Sequence, residues 1–186
     1  MLGDRGLTPS VGDLHFEFEN MPVRLVATRN IPRIETSGIL IEETEAGGEL
    51  TVNLWIAWEL VEAGLARFAD EGVSSEEWTQ VHYRERFQPL GRPSPLPERF
   101  YPRAYLTFSR LRKEAGGDAT RLEHLDRLRG MFRDILECRI GKVVRLATAE
   151  AAASSRALQP EEVALYGELH ALVSSWRRGM KRLEGR

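Results

Sequence analysis

The sequence predicts a mainly α protein, a helical bundle domain preceded by a small α+β domain. Three observations carry that expectation. Residues 22–54 alternate short Val/Ile/Leu-rich runs with turn residues, whereas everything beyond Val73 has helical periodicity. Charge divides in the same place: residues 1–70 hold 12 acids against 5 bases, and residues 71–186 hold 16 acids against 21 bases. A chain of 186 residues, 42% hydrophobic and 29% charged, has room for one ordinary domain or for a small one joined to a medium one.

Residues 1–20 read as a flexible leader, because Gly3, Gly6, Pro9 and Gly12 interrupt any regular element. Strands are expected at "PVRLVAT" (22–28), "GILIEE" (38–43) and "ELTVNL" (49–54), separated by turns at Asn30-Ile31-Pro32 and Ala46-Gly47-Gly48. "LWIAWELVEAG" (54–64) reads as a helix closed by Gly64. These elements make residues 21–70 the small domain, too small to be stable without docking on something larger.

The bundle domain is expected over 71–186. "SSEEWTQVHYRERFQPL" (74–90) opens on serine caps with acids in the first turn, where they complement the helix dipole. "PLGRPSPLP" (89–97) cannot be helical and reads as a rigid connector. "ERFYPRAYLTFSRLRKEAGG" (98–117) carries a face of Tyr101, Tyr105, Phe108 and Leu111 and ends at paired glycines. A helix of about 30 residues follows over 118–149, then a break at "AAASSRA". A last helix spans 158–183, with Pro160, Glu161 and Glu162 in its first turn.

In the long helix, Leu125, Leu128, Phe132, Ile135, Leu136, Val143 and Leu146 fall within about 60° of Phe132 at ~100° per residue. Arg139 lands on the same apolar face. A buried guanidinium must be paired. A carboxylate or several carbonyls are expected to meet it, on a neighbouring helix of this chain or on a partner.

Catalytic, cofactor and metal sites are not expected. The histidines at 15, 82, 124 and 170 lack ligand spacing. His82-x-x-Glu85 occurs once, where a di-metal bundle needs it twice, and reads as a solvated pair. Cys138 has no partner for a disulfide and no feature that would make it a nucleophile, which fits a reducing, cytoplasmic setting. Carboxylates at 123/126 and 134/137 stand among Arg127, Arg129, Arg133 and Arg139, which intrahelical ion pairing explains better than a hydrolase. No apolar run is long enough to span a membrane. The basic tail Arg177-Arg178-x-x-Lys181-Arg182 suits a helix C-terminus, and as an alternative it makes the chain a DNA-binding adapter.

Several stretches together resemble the subunits of the GINS complex. "LTVNLWIAWEL" (50–60) is similar to the strand-into-helix segment of their small domain, with Leu54 and Trp55 in the motif and Asn53 where proline is usual. "SPLPERFYPRAYLTFSRLR" (94–112) resembles the connector and aromatic helix, and "LQPEEVALYGEL" (158–169) the start of the last helix. Asp134, Arg139 and Lys142 match the family's D-x4-R-x2-K spacing. The resemblance covers residues 21–182 and implies the subunit type with the small domain first. It implies a non-enzymatic scaffold in DNA replication, joined with a second GINS subunit type in a hetero-tetramer that activates the MCM helicase with a RecJ-like partner. The two-type repertoire is the archaeal arrangement, and the location is chromosome-associated, nuclear in a eukaryote. Asp134, Arg139, Lys142, Leu54 and Trp55 are then interface or core-pairing residues. Tyr105, Phe108, Leu128, Phe132, Ile135 and Val143 are expected at a helix–helix interface, including contact with sister subunits. Direct DNA contact is left open.

Overall fold

A computed structural model describes residues 13–36, 38–70, 72–87, 93–149 and 157–184. The chain divides into two compact units, with the boundary between Gly72 and Val73.

In the first unit, the central strand is β1 (Pro22–Ala27), flanked antiparallel by β4 (Glu49–Asn53) and β5 (Ala66–Phe68). Its alternation places Val23, Leu25 and Ala27 in the core and Pro22 and Arg24 in solvent, the period-2 pattern of a half-buried strand. Leu25 lies opposite Leu50 on one side and Phe68 on the other. A separate hairpin joins β2 (Ile34–Thr36) to β3 (Ile39–Ile41).

Helix α2 (Leu54–Glu62) starts at the residue after β4, so Asn53 serves as both strand end and cap without a side-chain capping bond. The Leu54 amide donates instead to the carbonyl of Met21 at 2.9 Å. Leu54, Ala57 and Leu60 form the buried face, and Trp58 meets the Phe68 ring edge-on at 4.7 Å. Gly64 takes φ +69°, which lets the chain turn back so that the Leu65 amide reaches the Leu60 carbonyl.

Two features of this unit depart from expectation. Leu14–Glu19 form a short helix, α1, within the stretch read as an irregular leader; residues 1–12 lie outside the described residues. Asn20 holds its end through a side-chain bond to the Phe16 carbonyl. Strands β2 and β5, three residues each, were not anticipated because so short a run carries no periodicity to read.

The second unit is a four-helix arrangement of α3 (Ser75–Phe87), α4 (Phe100–Ala115), α5 (Ala119–Thr148) and α6 (Pro160–Glu184). Ser74 and Glu77 cap α3 reciprocally: the Ser74 amide donates to the Glu77 carboxylate at 3.0 Å, and the Glu77 amide to the Ser74 hydroxyl at 3.2 Å. Arg103 of α4 then grips Glu77 with two bonds of 2.9 and 2.7 Å and holds its carboxyl below the ordinary value. Pro93–Pro97 of the connector is non-helical, while 88–92 and all but the last residue of the break expected at 151–157 lie outside the described residues. Left-handed Gly116 ends α4 two residues before Asp118 caps α5 through the amides of Thr120 and Arg121.

Helix α5, about 45 Å long at 1.5 Å per residue, packs on α3, α4 and α6. The core at its middle is aromatic: Phe132 lies among Trp78, Phe100, Tyr101 and Phe108 at ring separations of 5.3–6.5 Å. Among the described residues no helix is long and apolar enough to cross a membrane, and no group of three His, Cys, Asp or Glu could hold a metal ion.

Candidate functional site

Arg139 is 1% exposed, and its five guanidinium donors all have acceptors. Nε and Nη2 grip the two oxygens of Glu162 at 2.7 and 2.6 Å, the fork geometry that favours arginine over lysine. Nη1 reaches Glu85 at 3.2 Å and the carbonyl of Ser94 at 2.6 Å, while Nη2 also reaches the carbonyl of Ala157 at 3.0 Å. Lys142, one helical turn on, donates to the other Glu85 oxygen at 2.6 Å. Ser94 donates its hydroxyl to Glu85, and Tyr101 donates its own to Glu162 at 2.6 Å. The Gln159 amide completes Glu162 at 2.9 Å, and the Gln159 side chain accepts from the Phe100 amide at the start of α4.

Two cations and two carboxylates therefore balance, with every helix of the unit contributing. The cluster also clamps the segments that lead into α4 and α6, through Ser94 and Ala157. Burial pushes the Glu85 carboxyl up, but Lys142, Ser94 and Arg139 outweigh it and leave its pKa below the ordinary value. For Arg139, burial disfavours the charge and Glu162 restores it, with a net upward shift. Burial and the Glu162 charge together raise the Tyr101 phenol well above its ordinary value of 10.0.

These shifts set a pH window for stability. A lowered carboxyl stabilises the fold above its unfolded pKa and loses that contribution as pH falls through the folded value. A raised phenol contributes fully below about pH 10 and loses its contribution as pH rises toward the folded value. Urea midpoints measured from about pH 3 to about pH 11 will therefore fall at both ends, and Tyr101→Phe will flatten the alkaline fall. That variant costs about 1.5 kcal/mol at neutral pH, since a bond to a carboxylate is lost while Arg139 still satisfies Glu162.

The sequence-selected residues separate into three groups. Arg139, Lys142 and Leu54 are buried, the first two in the cluster and the last in the small unit. Asp134 is exposed and pairs across helices with His82 at 3.0 Å, which lowers its carboxyl pKa; Trp55 is exposed on α2. Leu128, Ile135 and Val143 lie inside this chain's own bundle, and Tyr105, Phe108 and Phe132 are half-buried. The α5 stripe offered above for contact with sister subunits is thus already covered by α3, α4 and α6 at its central residues. A second correction concerns Glu85, which is 2% exposed rather than solvated, while His82 turns to Asp134. Of the intrahelical pairs expected, Asp126 with Arg129 forms at 3.1 Å.

Glu85 and Glu162 were missed as partners of Arg139. Glu162 gave only the signal of an acid in a first helical turn, and Glu85 that of an isolated acid between two arginines.

The apolar surface left open lies elsewhere. Arg139 meets Glu162 near the start of α6, and Arg177 donates to the Thr148 carbonyl at the end of α5, at 2.7 Å. The two helices therefore run in the same direction, and α6 continues past that contact for about two turns, roughly 10 Å. Along it Leu172, Met180 and Leu183 fall within about 40° of Trp176, and all four are exposed, Trp176 at 65%. Arg178, Lys181 and Arg182 occupy the opposite side.

The family model described as Sld5, GINS complex protein helical bundle domain, matches residues 73–181, more than half of the chain. The chain belongs to the GINS family. The match begins at Val73, the first residue of the helical unit, and takes in α3, α4, α5 and most of α6. No curated protein matches the chain. As a GINS subunit it serves DNA replication, and the buried cluster is the internal lock of its helical bundle.

Proposed function

We propose that this GINS subunit is a non-enzymatic scaffold of the replication fork. It assembles with a second GINS subunit type into a hetero-tetramer, the archaeal arrangement, and the assembly activates the MCM helicase together with a RecJ-like partner. In this reading the bundle over 71–186 carries subunit assembly, and the acidic small domain over 21–70 faces the helicase side.

The observation that carries the reading is the α6 stripe. A bundle that matches GINS complex proteins leaves Leu172, Trp176, Met180 and Leu183 uncovered on one helical face. Large apolar residues on a contiguous face mark an association surface. The DNA-adapter alternative draws less support, because Arg177 is engaged at the end of α5.

Size-exclusion chromatography with light scattering tests the proposal on the full chain, alone and mixed with a second GINS subunit type. The expected result is a defined hetero-tetramer in the mixture. A particle of unchanged mass with no bound subunit overturns it.

A further inference from the structure

The stretch Tyr83-Arg84-Glu85-Arg86-Phe87 closes α3. Glu85 turns inward to Arg139 and Lys142, so at 100° per residue Tyr83 and Phe87 are forced onto the outward face. Their rings lie 4.5 Å apart with a tilt of 34°, and the residues are 63% and 71% exposed. Arg84 and Arg86 project about 80° to either side of that face, and among the described residues neither forms an ion pair within 4.0 Å. Arg133 on the adjacent α5 extends the positive charge; with Arg86 it acts on Asp134, the acid tied to His82. The face is continued toward the helix start by Gln80, which is bonded to Glu76.

We infer that Tyr83 and Phe87, flanked by Arg84, Arg86 and Arg133, form a binding platform for single-stranded nucleic acid. Unpaired bases offer flat π-faces to aromatic rings, and guanidinium groups beside the rings can pair with the phosphates of a strand laid across them. Arginines without a close ion pair on both sides favour a polyanion over an apolar peptide, which would leave those charges unused. This is a different surface from the α6 stripe and needs no sister subunit.

Fluorescence anisotropy of a labelled oligothymidylate of about 15 nucleotides, titrated with the full chain at low salt, tests the inference. Binding is expected to saturate and to weaken with salt at a log–log slope of about −2, from three guanidinium groups at ~0.7 each. Tyr83→Ala with Phe87→Ala will weaken it at least about tenfold, and Tyr83→Trp will retain it. Arg84→Ala with Arg86→Ala will reduce the slope by about 1.4. Neutralising Arg178, Lys181 and Arg182 together will change affinity by less than about twofold, because those residues lie on another helix. The substituted side chains are exposed, and unchanged circular dichroism and urea midpoints will verify that the variants are folded.

Absence of saturable binding overturns the inference, as does equal affinity in the aromatic double variant. Equally strong binding to a duplex also overturns it, since paired bases hide their faces. Displacement of the oligonucleotide by the second GINS subunit assigns the surface to that subunit instead. A failure to form the tetramer leaves this test unaffected, so the two proposals succeed or fail separately.

Discussion

Arg139→Met will lower the stability of the helical unit by about 3–5 kcal/mol, against a typical total of about 5–15 kcal/mol. The side chains are close in volume, so a packing defect is not the cause. Removal of the guanidinium leaves Glu162 buried with only Tyr101 and the Gln159 amide, and leaves the carbonyls of Ser94 and Ala157 without their donor. Lys142 still neutralises Glu85, so the uncompensated charge falls on Glu162. Arg139→Lys will be intermediate, at about half the loss, because three donors on a point charge cannot reproduce the fork on Glu162.

Urea denaturation gives the result as a lower midpoint at unchanged slope. A midpoint within about 1 kcal/mol of wild type for Arg139→Met would show that the cluster contributes little. Replacing the full set by apolar residues, a change that stabilises some proteins, is not expected to rescue the fold here. Ser94 and Ala157 present backbone carbonyls that no aliphatic side chain can satisfy.

The same cluster explains how far the sequence could be read. The place of Arg139 on the apolar face of α5 followed from spacing alone, because 3.6-residue periodicity is local. Its partners stand 54 and 23 residues away, on helices whose packing no local pattern reports. The long α5, the Gly64 turn and the central strand β1 were legible, since each carries strong periodicity or a left-handed requirement. Helix α1 and the strands β2 and β5 were not, because six or three residues are too few to establish a period. The α5 stripe was visible as apolar, yet an apolar stripe looks the same whether its own bundle or another protein covers it. Burial of Leu128, Ile135 and Val143 decided that question for the centre of the stripe.

Under the assembly proposal, Trp176→Ala will weaken association with the second GINS subunit by about 30-fold to several hundred-fold, the range of a hot-spot tryptophan losing about 2–4 kcal/mol. Tryptophan dominates such surfaces because one residue removes a large apolar area from water at small entropic cost. Trp176 stands between Leu172 and Met180 on the uncovered face, so its removal empties the middle of the stripe. The isolated chain should keep its urea midpoint, since most of this side chain has no contact to lose within the bundle. Leu128→Ala provides the opposite case: it creates a core cavity costing about 2–5 kcal/mol of folding stability, and affinity falls only insofar as the bundle unfolds. Titration calorimetry separates the two, because one variant changes affinity at constant stability and the other changes stability first. Wild-type affinity in Trp176→Ala would remove α6 from the assembly surface.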